Sequence, residues 1–171
     1  MIKTGIANDV NILVQEEMLK VKNRPYRDFD YKAAGMVNHT FIARQVATTT
    51  ITIRTVIWWL FFNELESIQT HKISFKMSMD KDRKTISIED VNALSLAVKQ
   101  ALNDFRLNRG KTWKEISIEI GYYAESGVLS RSMNSRSSAP VGMIWKIMDF
   151  LSVEQFTAKF EDISLQIIRV K

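Results

Sequence analysis

Apolar residues recur at helical spacing near the start of the chain, where Val10, Leu13, Val14, Met18 and Val21 form one stripe. That period predicts a helix over residues 8–22 with Asn8 as its N-cap. The next stretch, KNRPYRDFDYKAAG, loses the pattern and is punctuated by Pro25 and Gly35, so it predicts a loop. Asn38 can cap a second helix carrying Phe41, Ile42 and Val46. Further on the period changes to two. Ile73, Phe75, Met77 and Met79 alternate with polar residues, residues 80–84 are a polar turn, and alternation resumes over residues 85–88. Together these predict a β-hairpin around residues 72–88.

Helical signals dominate the second half. Ser87 with Asp90 forms a capping box ahead of Val91, Leu94, Val98, Ala101, Leu102 and Phe105, a long amphipathic helix ended by Gly110. Thr112 with Glu115 opens a short helix through Ile116 and Ile120, ended by Gly121. SGVLSRSMNSRSSAP predicts a helix followed by a polar loop. Pro140 then starts a helix lined by Met143, Ile144, Ile147, Met148 and Leu151. Ser152 with Gln155 is a third box, leading to Phe156 and Phe160. The tail, ISLQIIRVK, alternates and fits either a strand or a helix. No internal repeat stands out in the residues themselves.

Residues 50–62 are ambiguous. Thr and Ile alternate from Thr50 to Ile53 as in a strand, but Ile53, Val56, Ile57 and Leu60 make a helical stripe. Helix is favoured over strand by the length of the second pattern.

Composition narrows the classes. The chain has 171 residues, 46% hydrophobic, enough for one domain or two small ones and for a substantial core. There is no cysteine, which excludes disulfides, thiolate nucleophiles and zinc fingers; the two histidines, His39 and His71, are too few for a histidine-rich metal site. The formal charge of +5 suits a polyanion. The first residues, MIKTGIANDV, lack the apolar core of a signal peptide, and the run at residues 56–62 is too short to span a bilayer. A cytoplasmic protein with no membrane contact is expected. Asp80 and Asp82 suggest a calcium loop, but Thr85 stands where glycine is needed and Val91 where glutamate is. No phosphate-binding glycine loop, nucleophile elbow or metal-ligand cluster is present, and Glu64 and Glu66 would diverge on a helix. The expectation is therefore no enzyme, no cofactor and no metal.

From Ala97 to Phe160 the pieces FRLNRGKTWKEISIEIG, VLSRSMNSRSSAP and IWKIMDFLSVEQF resemble, in order and length, the lambda-repressor-like (XRE-type) helix-turn-helix family. The interval from Gly121 to Leu129 is two residues longer than is usual there, and Ser117 stands where alanine is commonest. A weaker resemblance to a generic helix-turn-helix covers residues 41–60: Ala43 sits at the small position, Thr52, Ile53 and Val56 match the second helix, and Ala47 replaces the usual turn glycine. With a hairpin after it, that unit would be winged. The resemblance implies a mainly α protein with two small helix-turn-helix domains, residues 1–86 and 87–160, and a tail at 161–171 available for a dimer contact.

What the resemblance implies is a sequence-specific regulator of bacterial, phage or plasmid origin that binds duplex DNA, cytoplasmic and associated with the nucleoid. A recognition helix packs one face and presents short polar groups and arginine to the major groove. Thr49, Thr50, Thr52 and Arg54 could serve in the first unit; Ser130, Arg131, Ser132, Asn134 and Arg136 in the second, with Lys111 and Arg109 near phosphate. Without that context a Ser/Arg-rich loop is simply a solvated loop. Trp58, Trp59, Phe61 and Phe62 read as core, or alternatively as the seam of a homodimer. The rival class is a small inhibitor that uses the same scaffold to bind a host protein.

Overall fold

The computed structural model describes residues 2–21, 51–83, 85–122, 127–134 and 138–170. Helix α1 (Ile2–Lys20) comes first, and α2 (Ile53–Phe62) leads into strands β1 (Ser67–Gln69) and β2 (Ile73–Met79). Then follow α3 (Ile88–Asn108), α4 (Trp113–Ile120), α5 (Val128–Asn134) and α6 (Val141–Leu151), and finally β3 (Gln155–Lys159) and β4 (Ile163–Arg169). The loop and helix expected around Pro25, Gly35 and Asn38 lie outside the described residues.

Several expectations change. Asn8 lies inside α1, which already begins at Ile2, rather than capping it. Residues 53–62 are helical, started by Thr52, whose hydroxyl accepts the Thr55 N–H. The hairpin around residues 72–88 is replaced. β2 is a strand with Ile73, Phe75 and Met77 buried, but its neighbours are β1 and β4, both antiparallel. Residues 85–87 lead into α3 instead, because the Ser87–Asp90 capping box forms in full and fixes the helix start. The third box does not form. Ser152 is the left-handed C-cap of α6, and Gln155, Phe156 and the residues after them pair with β4. The tail is thus a central strand, and the fold is mixed rather than mainly α: the helices are joined by a four-stranded sheet ordered β1-β2-β4-β3.

The two halves share one architecture. Each has a long helix, a 32-residue interval (residues 21–52 and 109–140), a second helix and a hairpin. Equivalent residues stand 88 apart up to the first strand of each hairpin and 92 apart in β2 and β4. Thr52 and Pro140 are the N-caps of α2 and α6 and bridge each other; Ile53 N–H donates to Ala139 C=O (3.2 Å) and Val141 N–H to Ile51 C=O (2.7 Å). After those helices, Leu65 N–H donates to Leu60 C=O and Val153 N–H to Met148 C=O, both at 2.9 Å. Val10, Asn11 and Val14 on α1 are buried at the spacing of Val98, Lys99 and Leu102 on α3. The long helices are exchanged: α1 packs on α6 and β1, α3 on α2 and β3. An approximate two-fold axis passes through the centre of the sheet, where Ile68, Phe75, Ile167 and Phe156 form one cross-strand row.

The core lies between the helices and one sheet face. Trp58, Trp59, Phe61 and Phe62 belong to it, at most 4% exposed, which removes them as a dimer seam. The physical reason is that nine of the ten residues of α2 are buried: a helix apolar on all sides is enclosed on all sides. The pairing of β2 with β4 and of residues 51–53 with 139–141 joins residues on both sides of the expected boundary at residue 86.

Candidate nucleic-acid interface

The segment between α3 and α5 gathers positive charge. Arg106, Arg109, Lys111 and Lys114 fall within nine residues with no acid between them. α3 ends at Arg109, Gly110 turns the chain at φ 61°, and Thr112 restarts it in α4. The Thr112 hydroxyl accepts the Glu115 N–H, and the Glu115 carboxylate accepts the Thr112 N–H at 2.7 Å. That backbone bond first, then the Thr112 hydroxyl donating to the same carboxylate at 3.1 Å, hold the Glu115 carboxyl below its ordinary pKa. The box fixes where the basic turn meets the helix.

Aromatic rings brace the cations. The Arg106 guanidinium lies 4.7 Å from the centre of the Trp113 ring and donates through Nε and Nη2 to Asn103 Oδ1. Arg109 lies 5.5 Å over Phe105, whose ring meets Phe150 edge-on at 5.1 Å. The arginines are therefore oriented before any ligand arrives. Lys111 is ion-paired with Glu119. Lys114 and Arg109 are exposed.

Gly121, at φ 107°, ends α4 in the left-handed conformation that a side chain would resist. Below it, Tyr122 packs under Lys146 of α6, Nζ 4.3 Å from the ring, and burial pushes the phenol pKa up to about 12. Gly127 C=O accepts the Arg131 N–H at 2.9 Å as α5 begins. Leu129 is fully buried, while Arg131 is exposed and Ser130 and Ser132 are half-buried. α4 and α5 pack on each other, and α6 packs against α4.

Among the expected site residues, Ser130, Arg131 and Ser132 lie on α5, and Lys111 lies in the turn just before α4, the helix α5 packs against. Asn134 is the last residue of α5; Thr49, Thr50 and Arg136 lie outside the described residues. Thr52 and Arg54 are not on a groove-reading surface. The Thr52 hydroxyl is spent on the cap, within 3.0 Å of the Thr55 hydroxyl. Arg54 is half-buried where the two halves cross: its N–H donates to Ser138 Oγ at 2.9 Å, its guanidinium lies 5.6 Å over Trp58, and burial lowers its pKa. Burial, then the nearby Arg54 charge, also lower the Lys99 pKa. The second helix of that unit, α2, is core, with nine of its ten residues buried.

Arg106, Trp113 and Lys114 were missed as site residues. Their signal was present as a cluster of cations around an aromatic in RLNRGKTWK. No group of three or more potential metal-binding side chains occurs among the described residues, and none of their helices is long and apolar enough to cross a membrane. No family model matches the chain, and no curated protein or solved structure is similar to it.

Proposed function

We propose that the chain is a duplex-DNA-binding regulator that docks α4 and α5 on DNA, with Arg131 toward the major groove and Arg106, Arg109, Lys111 and Lys114 along the phosphates. The observation that carries this reading is the exposed Arg131 on α5, one helix away from four cations two of which are pre-oriented on aromatic rings. The family resemblance over the same helices supports it. The test is binding to duplex DNA across a salt series. Log affinity should fall linearly with log salt, by about 0.9 per phosphate neutralised. A flat response would sink the proposal.

A host-protein inhibitor is the second reading. Leu107 and Ile118, each 58% exposed, flank the same turn and would suit an apolar contact. Its signature would be tight, salt-tolerant binding to a protein with no affinity for DNA.

A further inference from the structure

One face of the sheet is packed into the core. The strand positions that alternate with the buried row carry two lysines and no acid. Part of that second face forms a cleft of about 670 Å³. Lys76 and Ser78 of β2, Ser164 and Gln166 of β4, Lys159 of β3 and Ser67 of β1 line it, with Glu66 just ahead of β1. The register brings them together. Ser67, Lys76 and Gln166 stand opposite one another in one row, and Ser78, Ser164 and Lys159 in the next. Because β4 runs between β2 and β3, Ser164 and Gln166 lie between the two lysines. Strand spacing and rise put the lysine backbones about 12 Å apart, near enough for both four-carbon stems to converge. None of these seven polar side chains is hydrogen-bonded or ion-paired to another described residue. The internal two-fold does not repeat the site: Ile168 answers to Lys76, and Lys159 lies in the extra length of the second hairpin.

We infer that this cleft binds a small sugar phosphate, with the phosphate between Lys76 and Lys159 over Ser164 and the sugar toward Gln166 and Glu66. A phosphate monoester carries about two negative charges, which the two ammonium groups match. The Ser78 and Ser164 hydroxyls donate to its remaining oxygens. The cleft is larger than a phosphate alone, so the group that bears the phosphate enters too. Glu66 accepts hydroxyl donors, and Gln166 both donates and accepts, which suits a polyol. No aromatic side chain lines the cleft among the described residues, so it offers a nucleotide base no stacking surface. The inference is independent of the DNA-binding reading, because α4, α5 and the basic turn contribute nothing to this lining.

The full chain would be titrated with ribose 5-phosphate, ribose and inorganic phosphate, followed by calorimetry and NMR. The expected result is saturable binding of one ribose 5-phosphate per chain, shifting the amides of Lys76, Ser78, Lys159 and Ser164. Inorganic phosphate should bind more weakly at the same amides, and ribose should not bind. Lys76→Gln and Lys159→Gln should each weaken ribose 5-phosphate about tenfold, as loss of one charge-assisted hydrogen bond would. Glu66→Gln should weaken ribose 5-phosphate more than inorganic phosphate. All three side chains are exposed, so melting curves of the variants should match that of the parent chain. A duplex titration covers the other source of phosphate. No binding of ribose 5-phosphate, equal binding of inorganic phosphate, shifts confined to other residues, or binding that survives both lysine substitutions would overturn the inference. So would lysine variants that weaken a duplex while ribose 5-phosphate leaves the cleft untouched, since the face would then be a phosphodiester contact.

Discussion

Glu64 and Ser152 take the same left-handed backbone conformation, φ 57° and 56°, one at the end of α2 and the other at the end of α6. They are the two non-glycine residues with positive φ among those described. A side chain there costs roughly 1–2 kcal/mol. The shared conformation lets each helix turn sharply into its hairpin.

Glycine at these positions should therefore stabilise the protein. Ser152→Gly removes the Cβ strain but adds some unfolded-state entropy, so the net gain expected is about 0.5–1 kcal/mol. Ser152→Val should be destabilising. Urea denaturation would measure both, and an unchanged or lower midpoint for Ser152→Gly would contradict the strain.

Asn11 ties three segments together. Its buried Oδ1 accepts the N–H groups of Ile51 and Gly142, each at 3.3 Å. Asn11→Leu leaves both donors without that acceptor, an expected loss of about 2–4 kcal/mol. A change below about 1 kcal/mol in the denaturation free energy would mean that those donors find other acceptors.

The aromatic run of α2 gives a clear distinction between core and seam. Trp59 is fully buried, so Trp59→Ala should cost about 3–5 kcal/mol of folding stability. If Trp59 served to join two chains, the same change would alter concentration-dependent association and leave a dilute monomer's melting unaffected.

The cap of α4 should respond to pH. The Glu115 pKa is lowered from 4.5 by the Thr112 bonds, so the carboxylate stabilises the fold in full above its unfolded value. That contribution is lost as pH falls through the lower, folded pKa. NMR titration of the Glu115 carboxyl, followed alongside amide exchange at Thr112, should show the midpoint below 4.5 and faster exchange beneath it. Glu115→Gln should abolish the transition at Thr112.

Local chemistry made α3 and α4 legible: each carries its start signal three residues deep, Ser87 with Asp90 and Thr112 with Glu115, and each box forms. The alternation of β2 was equally plain, but its partner was not, because pairing depends on residues far along the chain. β3 was misread because Ser152 and Gln155 have the spacing of a box while Ser152 actually ends a helix. In the site, the basic turn and Arg131 could be found from sequence. Arg54 misled, since nothing local says that a second half encloses α2. The internal two-fold was hidden because equivalent positions keep backbone conformation but not side chains: Asn11 matches Lys99, and Arg54 matches Gly142.

The central pairing has a cost during synthesis. Phe75 must wait for Ile167, 92 residues later, before the inner edge of β2 is closed. At ordinary translation speeds that is on the order of 5–20 s. Throughout it, a seven-residue strand bearing Ile73, Phe75 and Met77 offers its backbone to any other nascent chain. Folding dominated by so distant a contact is also slow. Pairing the two halves within one chain leaves each new chain open to wrong partners until its own second half arrives.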